Sequence, residues 1–548
     1  MIKEIRIKNF KVLRDYTRQF KPDFNVIVGS NGAGKSTLFE AVGLALSGRY
    51  RGQWSQEALS PYWFNKQAVD AYFDELLAGQ NPEPPVISIE VLMDEQIKDS
   101  DLARLEGKNS SKKILERGLA FEVSCSTDFV QEYQAFIDKW LERYDEGHKG
   151  QDRLLPVEYF DLNWHSFASF DQLRRRPRGV DFSLIDTKST MYGRHVDRYT
   201  RDLLTENISK EDGARLSVNL RSVFSETAGE ALSDVNKMVQ ERTHEAPEKF
   251  GVQIDPSSFT QWQNGVAPSI DELPFSHAGQ GAQSIAKVEV ALLNRRSKTK
   301  TILIEEPENN LSHTKLQALL ARIQRLGEGQ QVIVTTHSSF VLNRLGLDSL
   351  ILMGKGNHGD FSQLSAVDVA FFQKLANFDT LRLILADQVI LVEGISDLLV
   401  VDEAIRREFG RRAEALGIDI ISMEGTKHKR WLELAKLLDK PVIAIRDNDG
   451  KPDGHWENVY EDSLGNSHLS VGAFAKGKTL EPQIACANKE NITELLNALG
   501  LGPDTDFEAW ATQNKSEAAF QLIALEADLW NIPDYILDAI RMLNGGRK

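Results

Sequence analysis

The chain of 548 residues contains only two cysteines, Cys125 and Cys486. Two thiols cannot build a disulfide framework or, by themselves, a zinc site, so both of those small-domain strategies are excluded. Long apolar runs are missing as well. None approaches the roughly 18 to 20 uncharged residues that a membrane span needs. The opening stretch, MIKEIRIKNFKVLRD, alternates charged and apolar side chains and has no signal-type hydrophobic core. No membrane association is expected, and a reducing cytoplasm is the compartment these absences suggest. Positive charge is short too: 65 Lys and Arg face 80 Asp and Glu, a net charge of -15. A protein coated in basic surface is therefore excluded, although a local basic groove is not. Candidate patches are RRRPR (Arg174 to Arg178), NRRSKTK (Asn294 to Lys300) and KHKR (Lys427 to Arg430). Internal repeats and low-complexity blocks are also lacking.

What is present is an ordinary globular composition, 41% hydrophobic and 26% charged, over a length that calls for two or three domains. The pattern is α/β. IRIKNF alternates with period two, FNVIVG is a compact β-branched run, and a Gly-rich loop then leads into STLFEAVGLAL. VISIEVLMDE is a further alternating strand. The stretch from about residue 94 to 271 is mixed and often charged, with helical segments such as FVQEYQAFIDKWLERYD. Buried strands recur at TILIE and QVIVTT. A new strand–helix unit starts in LANFDTLRLILADQVILVEG, which sets a domain boundary near residue 380, and IDIISMEG and PVIAIRD supply more strands.

GSNGAGKST, Gly29 to Thr37, fits G-x-x-x-x-G-K-[ST] and lies between a strand and a helix. Its glycines let backbone N–H groups turn toward phosphate oxygens at a helix N-terminus. Asn31, Gly32, Gly34, Lys35, Ser36 and Thr37 are the candidate ATP contacts. Lys35 would reach the β- and γ-phosphates, and Ser36 would ligate Mg²⁺. ILIEEPE adds two acids after a strand: Glu305 to hold magnesium and Glu306 to polarise the attacking water. His337, ending VTTHSS, could contact a γ-phosphate.

The second half carries acids of a different kind. In ILVEGISDLLVV, Glu393 stands at a strand end, Gly394 allows a tight turn, and Asp397 falls near a helix start. PVIAIRDNDGK ends a second strand with Asp447 and Asp449, whose i, i+2 spacing is expected to point both carboxylates one way. Parallel strands bring such ends to one edge of a sheet. Several carboxylates there would repel one another without hard cations such as Mg²⁺ or Mn²⁺. A D-x-D alone arises by chance roughly once or twice in a chain of this composition. It gains meaning only beside Glu393 and Asp397. Glu481, in GKTLEPQIA, is another candidate metal ligand. Lys515, in NKSEAAFQLIA, is a candidate cation to steady a phosphate or leaving group.

KEIRIKNFKVLRD with FNVIVGSNGAGKSTL, IEEPENNLSH and TTHSS resemble the RecF/SMC-like branch of ABC ATPases. That resemblance implies two nucleotide sites between two heads, each completed in trans by a signature loop. Here SHAGQGAQS stands in the signature position, with Gly279, Gly281 and Gln283 in a G-x-G-x-Q variant. The paired E-G-x-x-D and D-x-D clusters resemble the TOPRIM pattern of topoisomerases, primases and some nucleases, in which the acids bind metal. The combination resembles the OLD (overcoming lysogenization defect) family of ATPase–nucleases, several of which act in anti-phage defence. The resemblance implies an ABC-type P-loop ATPase domain over 1–380 with a helical, dimerising insertion at about 165–270. A Rossmann-like TOPRIM domain follows over 381–548. It also implies two-metal DNA cleavage controlled by ATP, with Glu393, Asp447, Asp449 and Lys515 catalytic and Glu306 serving hydrolysis of ATP. DNA, a second copy of the chain and a defence-system partner, protein or nucleic acid, are the implied partners. A RecF-like, non-nucleolytic DNA-binding ATPase of DNA repair, with the TOPRIM domain a docking module, is the alternative. A topoisomerase would need a separate tyrosine-bearing domain, and a primase a template-reading module. Neither is visible.

Overall fold

The computed structural model describes residues 1–29, 32–94, 100–145, 153–187, 208–243, 250–252, 269–293, 301–345, 349–353, 382–383, 385–386, 388–423, 428–437 and 440–543. Two compact units divide the chain: Met1–Ile27 with Asn31–Thr336, and Val28–Ser30 with His337–Lys548.

The first unit contains two sheets. One is antiparallel and runs Leu13–Gln19, Ile2–Phe10, Ile87–Met93, Glu116–Cys125, Phe160–Ser166 in spatial order. Ile2–Phe10 and Ile87–Met93 match the expected strands. Glu116–Cys125 gave no alternating signal because its first six residues are buried on both faces. In the middle of this sheet Arg6 joins Glu4, Glu90 and Glu116 at 2.6, 3.2 and 2.6 Å. Ser111 and Ser110 donate further bonds to Glu90 and Glu116, and Lys112 and Gln19 pair with Glu4.

The other sheet places Phe182–Asp186, Thr301–Glu305 and Gln331–Thr336 side by side, all parallel. Phe182–Asp186 lies inside the segment expected to be a helical insertion, so part of that segment belongs to the core sheet. Lys210–Ala231 and Ser233–Arg242 supply helices farther along. The fully buried Gln331 locks the two sheets together: it accepts from the Ile2 N–H at 2.7 Å and donates to the Ile2 carbonyl at 2.6 Å.

The second unit is built on a four-stranded parallel sheet, in the order Ile418–Ser422, Gln388–Val392, Val442–Arg446, His468–Val471. Its apolar strands are buried on both faces, as parallel sheets require. Helix Ile395–Phe409 packs Val400, Val401 and Ile405 into the same core as Ile390, Trp530 and Ile536. The expected C-terminal turn-and-helix stretch forms helix Asp534–Met542.

Candidate functional sites

The phosphate loop leads into helix Lys35–Ser47, capped by Gly34 at φ +101°. Only glycine fits here, since a Cβ would also come within 2.9 Å of Leu13 and Val12. Gly32 has φ +80°, while Asn31 lies outside the described residues. Lys35 and Thr37 are buried in the first turn.

The Ser36 hydroxyl donates to the Glu305 carboxylate at the end of strand Thr301–Glu305. Ser36 and Glu305, 269 residues apart, are thus brought together as a magnesium site would need. Glu306 leaves the strand with φ +46° and is nearly buried. Its N–H donates to the Thr335 carbonyl at 2.9 Å, and its carboxylate accepts from Asn309 at 3.0 Å. Thr187, which the sequence did not single out, lies 2.6 and 2.7 Å from the carbonyl oxygens of Glu305 and Glu306. It stands just past strand Phe182–Asp186, whose Asp186 pairs in register with Glu305. His337 is the residue after strand Gln331–Thr336.

In the signature variant, Gly279 precedes helix Gln280–Leu293. Gln283 turns back to donate to the Ala278 carbonyl at 2.8 Å. A Cβ on Gly281 would sit 2.5 Å from the Asn310 carbonyl oxygen, so this glycine lets the helix start approach the loop that follows the acids.

In the second unit the acids gather at one end of the sheet. Glu393 follows strand Gln388–Val392 and Asp447 follows the neighbouring Val442–Arg446; the Asp447 N–H reaches the Glu393 carboxylate at 3.3 Å. Asp397, in the first turn of Ile395–Phe409, accepts from the Gly394 N–H at 3.1 Å. It therefore caps its helix besides facing the cluster. Glu481 is buried at the start of Leu480–Ala487 and accepts from Thr479 at 2.7 Å.

Burial, aided by Asp397, Glu393, Glu481 and Asp449, pushes the Asp447 carboxyl up to about 9. Burial likewise raises Glu393 to about 7 and Asp397 to about 6. Lys515, exposed on helix Phe507–Ile523, partly offsets the rise at Asp397, so it belongs to the same electrostatic neighbourhood.

Asp449 departs from the expected arrangement. The strand ends at Arg446, and the chain then turns through a left-handed Asp449 at φ +54°. The i, i+2 rule for strands no longer applies: Asp447 is buried, whereas the Asp449 side chain is 40% exposed and pairs with Arg446. Asn448 makes the turn rigid, donating to the carbonyls of Gly472 and Gly477 and accepting from the Gly450 N–H.

Arg446 is the main residue that motif reasoning missed. The guanidinium is 1% exposed; its Nε donates to the Asp447 carbonyl and its Nη1 to the Tyr460 hydroxyl, both at 2.8 Å. Its plane lies 3.6 Å from the Trp456 ring centroid. The signal was there, an arginine closing an apolar strand, because a buried guanidinium demands carboxylates. His428 was read as part of a basic patch. Instead it is fully buried, 3.6 Å from Glu393. Burial and Arg446 push its imidazole down to about 3, so this approach is not an ion pair. Of the other basic candidates, Arg174, Arg175 and Arg178 are exposed, Arg176 lies over the Phe182 ring, and Asn294 to Lys300 fall outside the described residues.

Among the described residues, no three His, Cys, Asp or Glu side chains already converge on one point as a cation site. The donor set nevertheless fits a hard divalent ion. Asp447 Oδ1 is buried without a hydrogen-bond partner, beside acids whose mutual repulsion a divalent cation would relieve. Glu393, Asp447 and Asp449, with Asp397 and Glu481 behind them, are the residues that would hold it.

Comparison with known proteins agrees with both halves. Residues 24–343, more than half of the chain, match the family model described as AAA domain, putative AbiEii toxin, Type IV TA system. Residues 384–449 match that of the overcoming lysogenization defect protein-like TOPRIM domain. The OLD nuclease of Thermus scotoductus is 23% identical over 485 residues, covering 82% of this chain and 83% of its own. Chromosome segregation protein sudA of Emericella nidulans is 32% identical over 116 residues, 20% of this chain; the match spans only 10% of that relative's length. Among solved structures, the C-terminal region of the Burkholderia pseudomallei OLD protein aligns with 18% identity and a TM-score of 0.22, over 29% of this chain and 98% of its own.

Proposed function

We propose that this chain, which belongs to the family described as AAA domain, putative AbiEii toxin, Type IV TA system and carries an OLD-like TOPRIM domain, hydrolyses phosphodiester bonds of DNA under the control of ATP. The observation that carries this reading is the gathering of Glu393, Asp397, Asp447 and Glu481 at one sheet edge, with Asp447 Oδ1 left without a partner. Mg²⁺ or Mn²⁺ bound there would supply the Lewis acidity that activates water and stabilises the leaving oxygen. Glu393, Asp447 and Asp449 hold the charge, Asp397 and Glu481 back them, and Lys515 steadies the phosphate. In the first unit, Lys35 and Thr37 would contact the phosphates of ATP, Ser36 and Glu305 would hold its magnesium, and Glu306 would orient water. Gly279, Gly281 and Gln283 complete a partner copy's site, so the working form is a dimer or larger even assembly. The domain boundary near residue 380, a cytoplasmic location and a role in anti-phage defence with a partner belong to the same proposal.

The test incubates plasmid and linear DNA with the purified protein, Mg²⁺ or Mn²⁺, with and without ATP, alongside Glu393→Ala. Metal-dependent nicking or cutting that disappears in the variant is expected. Wild-type activity that persists in Glu393→Ala would overturn the site. An inert wild type under all conditions would favour the docking-module alternative.

A further inference from the structure

We propose that Arg446 is a built-in counter-cation of the acid cluster, which holds Glu393 and Asp449 in the metal-free protein and must release them before a divalent ion can bind. Arg446 is thereby a positioning residue that sets the affinity for that ion. The inference rests on reading the cluster as a metal site.

The guanidinium divides its contacts in two. Nε, Nη1 and the ring face are committed to the Asp447 carbonyl, the Tyr460 hydroxyl and Trp456. Trp456 is itself fixed by donating to the Asn448 carbonyl and by stacking on Tyr460. These contacts anchor the side chain whatever happens at the acids. Nη2 alone faces the carboxylates, pairing with Asp449 and approaching Glu393 at 3.6 Å. Release of the acids therefore requires no movement of the anchored part. Asp449 is the member able to swing, being part-exposed on a left-handed turn followed by Gly450 at φ +73°. At 1% exposure Arg446 is too buried to meet DNA.

The same molecule contains a control. Around Arg6 three glutamates are each bonded to the guanidinium, two of them also to serines and Glu4 to Lys112, and none of their described buried oxygens lacks a partner. That is a purely structural ion cluster. Around Arg446 a buried oxygen is left over: Asp447 Oδ1 has no partner, and no three acids converge among the described residues. One arginine charge holds apart acids that a divalent ion would draw together.

The experiment titrates Mn²⁺ into the ATP-free full chain and follows the free-ion signal by electron paramagnetic resonance. Wild type, Glu393→Gln, Arg446→Gln and Arg446→Lys are compared, with near-ultraviolet circular dichroism as the check of fold. Binding that Glu393→Gln does not weaken overturns the metal-site reading itself. Given a Glu393-dependent site, Arg446→Gln is expected to bind Mn²⁺ at least ~10-fold more tightly, because a unit positive charge a few ångströms from the ion is gone. Its thermal midpoint should fall without metal and recover with Mn²⁺. Equal or weaker binding by a folded Arg446→Gln overturns the proposal, as does a midpoint loss that Mn²⁺ cannot repair. Should Arg446→Gln fail to fold, Arg446→Lys decides. Its compact ammonium cannot reach Tyr460 and Asp449 together, so a several-fold gain in affinity is expected and wild-type affinity overturns the idea.

Discussion

In the first unit each functional acid meets a neutral donor: Glu305 the Ser36 hydroxyl, Glu306 the Asn309 amide. In the second unit Glu393, Asp397, Asp447 and Glu481 crowd one another, and burial drives three of them toward the protonated form. The difference follows from what each site awaits. A nucleotide arrives with its own negative charge and its own magnesium, so the protein presents N–H groups, a lysine and two acids. A metal site for DNA cleavage must supply all the negative charge itself, and until the ion arrives the fold has to tolerate that repulsion. Arg446 is how this fold does so.

The comparison breaks most sharply at Glu393. Glu393→Ala should lower DNA cutting by at least ~100-fold, since even residues behind a metal ligand typically cost 10- to 100-fold, yet ATP hydrolysis should persist. Gel-based cutting assays and phosphate release measured side by side check both. Lys35→Ala should show the complementary pattern, with ATP hydrolysis reduced by ~100-fold or more while Mn²⁺ binding at the Glu393 cluster is retained. If both variants lost both activities equally, the two sites would not be chemically separate.

Smaller effects sharpen the picture within the first unit. Gly281→Ala forces a Cβ against the Asn310 carbonyl, at a cost of about 1–3 kcal/mol, and several-fold slower ATP hydrolysis should accompany it. Thr187→Val leaves the carbonyls of Glu305 and Glu306 without their hydroxyl partner. A loss of about 1–2 kcal/mol in denaturant unfolding is expected, with a modest fall in hydrolysis and unchanged Mn²⁺ binding.

The smallest effect is a pH slope in the metal-free protein. The folded state holds protons on Asp447, Glu393 and Asp397 up to about 9, 7 and 6, whereas the unfolded chain releases them near about 4. The folded state thus binds more protons, and stability falls as pH rises from about 4 toward about 9. Asp447→Asn should flatten the upper part of that slope in thermal melts, and saturating Mn²⁺ should suppress it.

Much of this was legible in the residues. The phosphate loop, the acidic strand end at Glu305 and the E-G-x-x-D and D-x-D clusters are local patterns, because each needs only a strand, a turn and a helix start in succession. Thr187 was not legible, since Phe182–Asp186 is five residues long and acquires meaning only from pairing with Thr301–Glu305. The strand Glu116–Cys125 hid for another reason: burial on both faces removes the alternation that marks a surface strand. Asp449 looked like the equal of Asp447, and the strand's early end at Arg446 made them unequal.

By itself, then, the sequence determined two chemistries and the order in which the chain carries them, because phosphate loops and acidic strand ends are written in consecutive residues. Only the tertiary structure decided how the charges are balanced. Asp447, Glu481 and the Glu393–Asp397 pair come from three segments, and their repulsion depends on a burial no local pattern encodes. The arginine among them is visible as a letter in PVIAIRDNDGK, but its role follows from being enclosed by Trp456, Tyr460 and two carboxylates.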